Sequence, residues 1–320
     1  MREIVIGRND AGQRLDKFIT KALDLPTGLL YKSIRLKKIK VNRKRAEIGQ
    51  VLHEGDVLQC FLAPEFFAKL DREQAEVSFG SVQVHLSVIY EDENILLADK
   101  PQGVSVHEDE SSSINTLITH IQAYLYQKGE YDPRDEQSFA PALCNRIDRN
   151  TGGIVIAAKN AEALRIMNEK IKAREIDKRY LALIHGVPKR KSDTLRAYLI
   201  KDEKTNTVRV FDKEVRGAKE IVTRYTLLSS RGDESLIEVE LLTGRTHQIR
   251  AHMAHIGHPL VGDGKYGINR DDKKRGHKFQ ALYSYKLRFA FTTDAGALQY
   301  LSGREFSVDR ESIYFTKGFI

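Results

Sequence analysis

Cys144-Asn145-Arg146-Ile147-Asp148-Arg149-Asn150-Thr151-Gly152-Gly153, followed by Ile154-Val155-Ile156-Ala157-Ala158, decides how this chain is to be read. The second part is a continuous apolar run of strand length, which predicts a fully buried strand. The first part is a polar turn with one carboxylate, Asp148, set between Arg146 and Arg149. Thr151-Gly152-Gly153 turns the chain into the strand. If the two arginines lie near Asp148 in space they favour its charged form. That suits a nucleophile or a stabiliser of developing positive charge better than a general acid. It suits an ordinary salt bridge equally. No second carboxylate stands in the motif, so acid–base pairing of the glycosidase kind finds weak support.

Working outward, a buried strand is expected at Ile95-Leu96-Leu97-Ala98, followed by a turn over Asp99-Lys100-Pro101-Gln102-Gly103. Ser111-Ser112-Ser113 precede one helix from about Asn115 to Gln127. Asn160 is placed to cap a helix bearing Leu164, Met167 and Ile171. Strands follow at Tyr180–Ile184 and Leu236–Leu242. The second runs into Thr243-Gly244-Arg245-Thr246 and a helix with Ile249, Met253 and Ile256 on its apolar face, stopped by Gly257 and Pro259. His247 and Arg250 fall on one side of that helix's first turn. With Arg245 before them they form an anion-binding end, for a phosphate or for Asp148 itself. Strands and helices mix without a βαβ repeat, so the fold class is α+β.

The chain has 320 residues, enough for two domains, and no run approaches a membrane-spanning length. The apolar start is too short for a signal peptide. Two cysteines, Cys60 and Cys144, cannot build a disulfide framework and fit a reducing cytosol. Cys144 reads as a small buried thiol rather than a catalytic one. The net charge of +8 is uneven, since residues 1–62 carry 13 basic and 7 acidic residues. Leu15, Phe18, Ile19 and Ala22 fall at helical spacing. Pro26 and Gly28 break that helix, and Leu29, Leu30 and Ile34 suggest a second. A hairpin with a basic turn, Asn42-Arg43-Lys44-Arg45, comes next, and the chain returns over Val51–Phe61. From Lys32 to Arg45 there are eight basic residues and no acidic one. Such a stretch repels itself unless an anionic partner relieves it, which points to nucleic acid and steep salt dependence. Residues 63–85 show no strong periodicity and read as a connector.

Two rival sites are set aside. His247, His252, His255 and His258 could ligate zinc, but no Cys, Asp or Glu lies within the helix and His-Glu-x-x-His is absent. Gly262-Asp263-Gly264-Lys265-Tyr266-Gly267 lacks Walker spacing and reads as a tight turn.

Two resemblances follow. Arg14-Leu15-Asp16-Lys17-Phe18, the basic helix, Lys40-Val41-Asn42 and Glu54-Gly55-Asp56-Val57 resemble the small alpha-L-type RNA-binding domain over residues 12–62. Members often have Asn-Gly where this chain has Asn42-Arg43, so a wider hairpin is expected. The opening stretch, Asp99–Gly103 with His107, Lys178-Arg179-Tyr180-Leu181-Ala182, Gly244–Arg250 and Gly257–Asp263 together resemble the RluA-type pseudouridine synthases over about residues 88–290. That resemblance implies a mixed, largely antiparallel sheet, and an Asp148 that attacks either carbon six of uracil or the ribose anomeric carbon. The base is then freed, turned and rejoined through carbon five without metal or cofactor. It implies Tyr180 as the ring packed on the target base and placed to assist proton removal. It also implies Arg250 as the partner of Asp148, and Arg146 as the side chain filling the gap left by the flipped nucleotide. The chain departs from the motif at Asn145 for His, Ile147 for Leu and Gly152 for Ser. Leu282-Tyr283-Ser284 stands for Leu-His-Ala. Asn145 is the clearest of these signs that the substrate is not the commonest one.

The expectations are therefore a basic RNA-binding domain over 1–62, a linker over 63–85 and a catalytic domain over 86–320. The catalytic residues are Asp148, Tyr180 and Arg250. The RNA contacts are Arg146, Arg149, Arg245 and His247, with Lys32, Arg35, Lys37, Lys38, Arg43, Lys44 and Arg45 in the first domain. The partner is RNA, ribosomal before transfer RNA, bound by a cytoplasmic monomer that needs no cofactor. The alternative is an RNA-binding assembly factor whose catalysis is lost or secondary.

Overall fold

The structure is a computed structural model that describes residues 1–71, 79–107 and 115–320. Ser111, Ser112 and Ser113 lie outside the described residues. By contacts the chain divides into two units. One holds Met1–His85, His120–Ala142 and Ala158–Arg165, and the other holds Leu86–Thr119, Leu143–Ala157 and Ile166–Ile320. The grouping of 120–142 and 158–165 with the first 85 residues has no signal in the local sequence pattern.

The first unit begins with β1 (Arg2–Val5), which the sequence reading missed because four residues show too little alternation. Helix α1 (Leu15–Ala22) buries Leu15, Phe18, Ile19 and Ala22 as the spacing predicts. Asp16 in its first turn accepts from Arg14 and from the Lys17 N–H, which fixes the helix start. Burial of a ring such as Phe18 contributes about 1.5–3 kcal/mol. Helix α2 (Thr27–Arg35) ends with Lys37 in the left-handed region, φ 59°, while the Lys38 N–H bonds back to Ser33. Glycine is the usual residue there. Strands β2 (Ile39–Val41), β3 (Lys44–Arg45) and β4 (Val57–Cys60) complete a sheet in the order β1-β4-β2-β3.

The basic hairpin differs from expectation. Val41 pairs with Lys44, so the loop is only Asn42 and Arg43, both left-handed at φ 50° and 64°. That is the tight two-residue turn, not a wider one. Asn42 holds it by donating to Asp56 and accepting from the Val57 N–H. The return strand is also shorter than predicted, because 51–56 is turn around Gly55. The expected connector holds a 3-10 turn at Pro64–Phe67 and a single helical turn, α3 (Ala68–Asp71).

Strands β5 (Ser87–Glu91) and β6 (Ile95–Lys100) follow, then α4 (Leu117–Gln127), β7 (Ala142–Leu143), β8 (Gly152–Ala158) and α5 (Ala161–Lys172). Asn160 caps α5 as expected, accepting from the Ala163 N–H. Next come β9 (Ile176–His185), β10 (Ser192–Asp202), β11 (Thr207–Phe211), β12 (Lys219–Arg231) and β13 (Glu234–Leu241). Helix α6 (Gln248–His255), α7 (Arg270–Lys274), β14 (Leu282–Phe289) and β15 (Glu305–Ser307) complete the chain. The large sheet runs β11-β10-β12-β13-β9-β14-β8-β6-β5, with β15 on β14 and β7 on β8. The β14–β8 pair is parallel, while β9 through β13 and β14–β9 pair antiparallel. The fold is α+β, as read. All seven residues of β8 are buried, which is what its apolar run predicted.

Candidate active site

Asp148 is held from behind by the end of β6. Lys100 is fully buried and donates to three carbonyls, of Pro101 (2.8 Å), Val104 (2.8 Å) and Arg149 (2.9 Å). Burial pushes its pKa down to about 7 against the charges of Asp148 and Asp99. Asp99 and Lys100 thus belong to the strand, and the turn is Pro101–Gly103 alone. The Gly103 N–H donates to the Arg149 carbonyl, and Arg149 Nε returns a bond to Gly103 O (3.0 Å). Gln102 Nε2 bridges the carbonyls of Asn150 and Gln280.

From Asn145 to Arg149 the side chains alternate: 145 and 147 are buried, while 146 and 149 are exposed and 148 is half-buried. Asn145 therefore turns away from Asp148. Its Oδ1 accepts from the Ile156 N–H (2.8 Å), and its Nδ2 is buried without a partner. Asn145 thus ties the loop to β8.

The cation on Asp148 is Arg250, 102 residues away, with Nη1 2.9 Å from Oδ2. Arg149 instead reaches Gly103, and Arg146 lies near His107, whose pKa is lowered by burial and then by that charge. Arg250 comes from the first turn of α6. Gln248 fixes this turn by accepting from Thr243 Oγ1 and the Arg245 N–H and donating to Val222 O and Thr223 Oγ1. The side chain of Arg250 is 8% exposed and that of Asp148 26%. A second carboxylate, Asp263, takes the other edge of the guanidinium in a bidentate pair, 2.7 and 2.9 Å. Burial alone would lower the Arg250 pKa, but Asp263 and then Asp148 outweigh it and raise it. Burial alone would raise Asp263, and Arg250 with the backbone N–H groups of Lys265 and Tyr266 lowers it instead. The Tyr266 ring lies 5.3 Å from the guanidinium carbon.

His247 sits at the N-cap of α6 in the left-handed region, φ 53°. Tyr266 Oη accepts from the Val208 N–H (2.9 Å), which leaves its hydrogen for His247 Nδ1 (2.8 Å). His247 Nε2 lies 3.9 Å from Asp148. Burial lowers the His247 pKa, Asp148 opposing and Arg250 assisting. Tyr180, on β9 opposite Ser284, is buried, and its pKa is pushed up to about 12. Burial is the main cause. A bond with the Ser284 hydroxyl lowers it and the charge of Asp148 raises it. At neutral pH the phenol keeps its proton. Arg245 is exposed on the loop before α6. The sequence named the motifs containing Lys100, Asp263 and Tyr266 but gave these residues no role. The usable signal was that a buried arginine needs more than one counter-charge.

Two departures from the family motif explain each other. A Cβ at Gly152 would lie 2.5 Å from the Tyr283 ring, and Tyr283 Oη donates to Asp99 (2.6 Å). Gly152 makes room for a tyrosine where a smaller histidine is usual. Gly153, at φ 111°, is a glycine for another reason, since its Cβ would lie 2.2 Å from the Ser284 carbonyl oxygen.

The four histidines set aside above go to separate partners: His247 to Tyr266, His252 to Thr223, His255 to Asp212 and His258 to the His185 carbonyl. Among the described residues, His185, Glu234 and Asp272 cluster at metal-ligand spacing. Arg275 already binds both carboxylates, and Asp272 also takes His185 Nε2 and the Gly262 N–H. A cavity of about 720 Å³ beside it is lined by His185, Arg231, Tyr314 and Lys317 among others. It does not include Asp148.

A family model described as RNA pseudouridylate synthase matches residues 94–255. "Ribosomal large subunit pseudouridine synthase C" of Vibrio vulnificus (strain CMCP6) is 32% identical over 91% of this chain and 88% of its own length. An uncharacterized RNA pseudouridine synthase of Mycoplasma genitalium is 33% identical over 90% of this chain and 88% of its own. The solved human "RNA Pseudouridylate Synthase Domain Containing 1" has the same fold, with a TM-score of 0.55 and 23% identity over 70% of this chain and 83% of that one. The chain belongs to the RNA pseudouridylate synthase family and is an isomerase acting on uridine in RNA.

Proposed function

We propose that the enzyme converts specific uridines of ribosomal RNA to pseudouridine, with Asp148 as nucleophile and no cofactor. One observation carries this: the half-buried Asp148 carboxylate is held at 2.9 Å by an arginine whose other edge is taken by Asp263. The ion pair orients Asp148 and keeps a counter-charge on it, while part of the carboxylate stays exposed. That is the preorganisation a nucleophile needs. Attack at carbon six of uracil or at the anomeric carbon joins Asp148 to the substrate and breaks the glycosidic bond, and the Asp148 bond breaks in turn as the product forms, freeing the carboxylate. The base turns, carbon five bonds to the ribose, and the proton leaving carbon five is balanced by one gained at N1. Nothing is consumed.

The other residues take roles in the same step. A duplexed uridine must leave its stack, at a cost of a few kcal/mol. Arg146 is exposed and makes no ion pair among the described residues, so it is available to fill the gap. Tyr180 offers its ring face to the base, and its hydroxyl can relay a proton rather than act as a resting phenolate. Arg149, Arg245 and His247 border the same loop and helix end and contact the RNA. Residues 1–62 supply affinity through their cationic helix and hairpin, 63–85 connect, and 86–320 carry the reaction. The ribosomal target is supported by the names of the Vibrio relatives. Incubation with ribosomal RNA tritiated at uracil carbon five tests the proposal. Tritium release by wild type and none by Asp148→Ala is expected. Release that persists in Asp148→Ala would remove Asp148 from the mechanism.

A further inference from the structure

The loop that supplies Asp263 and Tyr266 to the site presents a different surface to solvent. It is closed on itself: Asp263 Oδ1 accepts from the Lys265 N–H (2.9 Å) and the Tyr266 N–H (3.3 Å), and its carbonyl accepts from Gly267 (3.0 Å). Lys265 Nζ ties it to the Asn206 carbonyl (2.9 Å). Ile268 follows and is 91% exposed, more than any other exposed large apolar residue among those described. Two peptide units separate it from Tyr266, so their Cα atoms lie within about 7.6 Å. A single exposed apolar side chain is ordinary. This one stands in a segment, 264–278, with six basic and two acidic residues, a net +4 out of the chain's +8. Arg270 and Lys274 share the single carboxylate of Asp271, at 3.9 and 3.0 Å, and both side chains are largely exposed.

A rigid loop with a bare isoleucine between cations matches one partner by chemistry: a nucleic-acid strand. Its phosphates answer the cations, and its stacked bases accept an apolar wedge. A β-branched side chain, stiff at χ1, suits insertion. We propose that Ile268 wedges between bases beside the target uridine while Arg270, Lys273 and Lys274 hold the flanking phosphates. The wedge pries the stack open near the point where the uridine must leave. This rests on the proposed function and adds a surface to it.

The test compares Ile268→Ala with wild type on two tritiated substrates, folded ribosomal RNA and an unstructured uridine-containing oligonucleotide. Because Ile268 is outside the core, the variant keeps its fold, and urea midpoints check this. A roughly tenfold loss of kcat/KM on folded RNA is expected, with little change on the unstructured strand and recovery in Ile268→Met. No loss on folded RNA, or an equal loss on both, overturns the wedge. If wild type releases no tritium from any RNA, the functional proposal fails separately. The wedge is then read from a hairpin carrying 2-aminopurine, which wild type should brighten by unstacking and Ile268→Ala should not. Equal brightening overturns it. Replacing Arg270, Lys273 and Lys274 with glutamine should lower the salt slope of RNA binding by about two to three. An unchanged slope removes the phosphate contacts.

Discussion

Two cationic regions of this molecule use charge in opposite ways. Behind Asp148 the buried charges are partnered: Arg250 lies between Asp148 and Asp263, and Lys100 donates to three carbonyls. Along Lys32–Arg45 there are eight cations and no carboxylate. Charge neutralised inside the fold fixes geometry, which chemistry needs. Charge left over on the surface invites an external anion, which affinity needs. The backbone carries the same contrast. Lys37 and Arg43 occupy left-handed positions where glycine would be less strained, so a cation is kept at some cost in stability.

The comparison breaks most severely if Arg250 is removed. Arg250→Ala leaves Asp148 and a buried Asp263 without a counter-charge. Unfolding in urea should show a loss of about 3–5 kcal/mol, and tritium release should fall at least ~100-fold. Acid should bring an unpaired charge into the same region. His252 on α6 is buried against Thr223, and burial, then His255, lowers its pKa to about 4 from an ordinary 6.5. Below 6.5 the unfolded chain binds the proton and the fold does not, so stability is full above that pH and drains away as pH falls towards 4. The loss should be about 3 kcal/mol, and His252→Gln should abolish this part of the pH dependence in thermal melts.

On the unpaired side the effects should be smaller and should leave chemistry alone. Changing Arg43, Lys44 and Arg45 to glutamine should weaken RNA binding about ten- to a hundredfold near 0.15 M salt and flatten its salt slope, with kcat unchanged. A reduced kcat would mean that the hairpin takes part in more than binding. The smallest effect sharpens the contrast most: Arg43→Gly should stabilise the fold by up to about 1 kcal/mol while weakening RNA binding. Calorimetry and filter binding on one preparation would reveal whether the two move in opposite directions.

The sequence made some of this legible and hid the rest for definable reasons. β8 and α6 were readable because a continuous apolar run and a 3.6-residue period are local signals. β1 was too short to alternate, and β10 to β12 alternate only weakly because parts of them are half-exposed. The helix end bearing Arg250 was read as a site for a phosphate or for Asp148, and family resemblance chose between them, since 102 residues separate the pair. The burial of Asn145 was not legible from its place beside two arginines. Asn145 and Ile147 are buried while Arg146 is exposed and Asp148 half-buried, a pattern no local period announces.

The Gly152–Tyr283 contact has a historical consequence. With a serine at 152 the Tyr283 ring has nowhere to go, because a Cβ would meet it at 2.5 Å. With Gly152 and a histidine at 283, the worst outcome is a small void. The two single steps away from the usual family pair are therefore unequal, and the open order is glycine first, tyrosine second. The bond from the Tyr283 hydroxyl to Asp99 holds the ring against that position. The contact makes position 152, four residues from the proposed nucleophile, intolerant of any side chain while Tyr283 keeps its place.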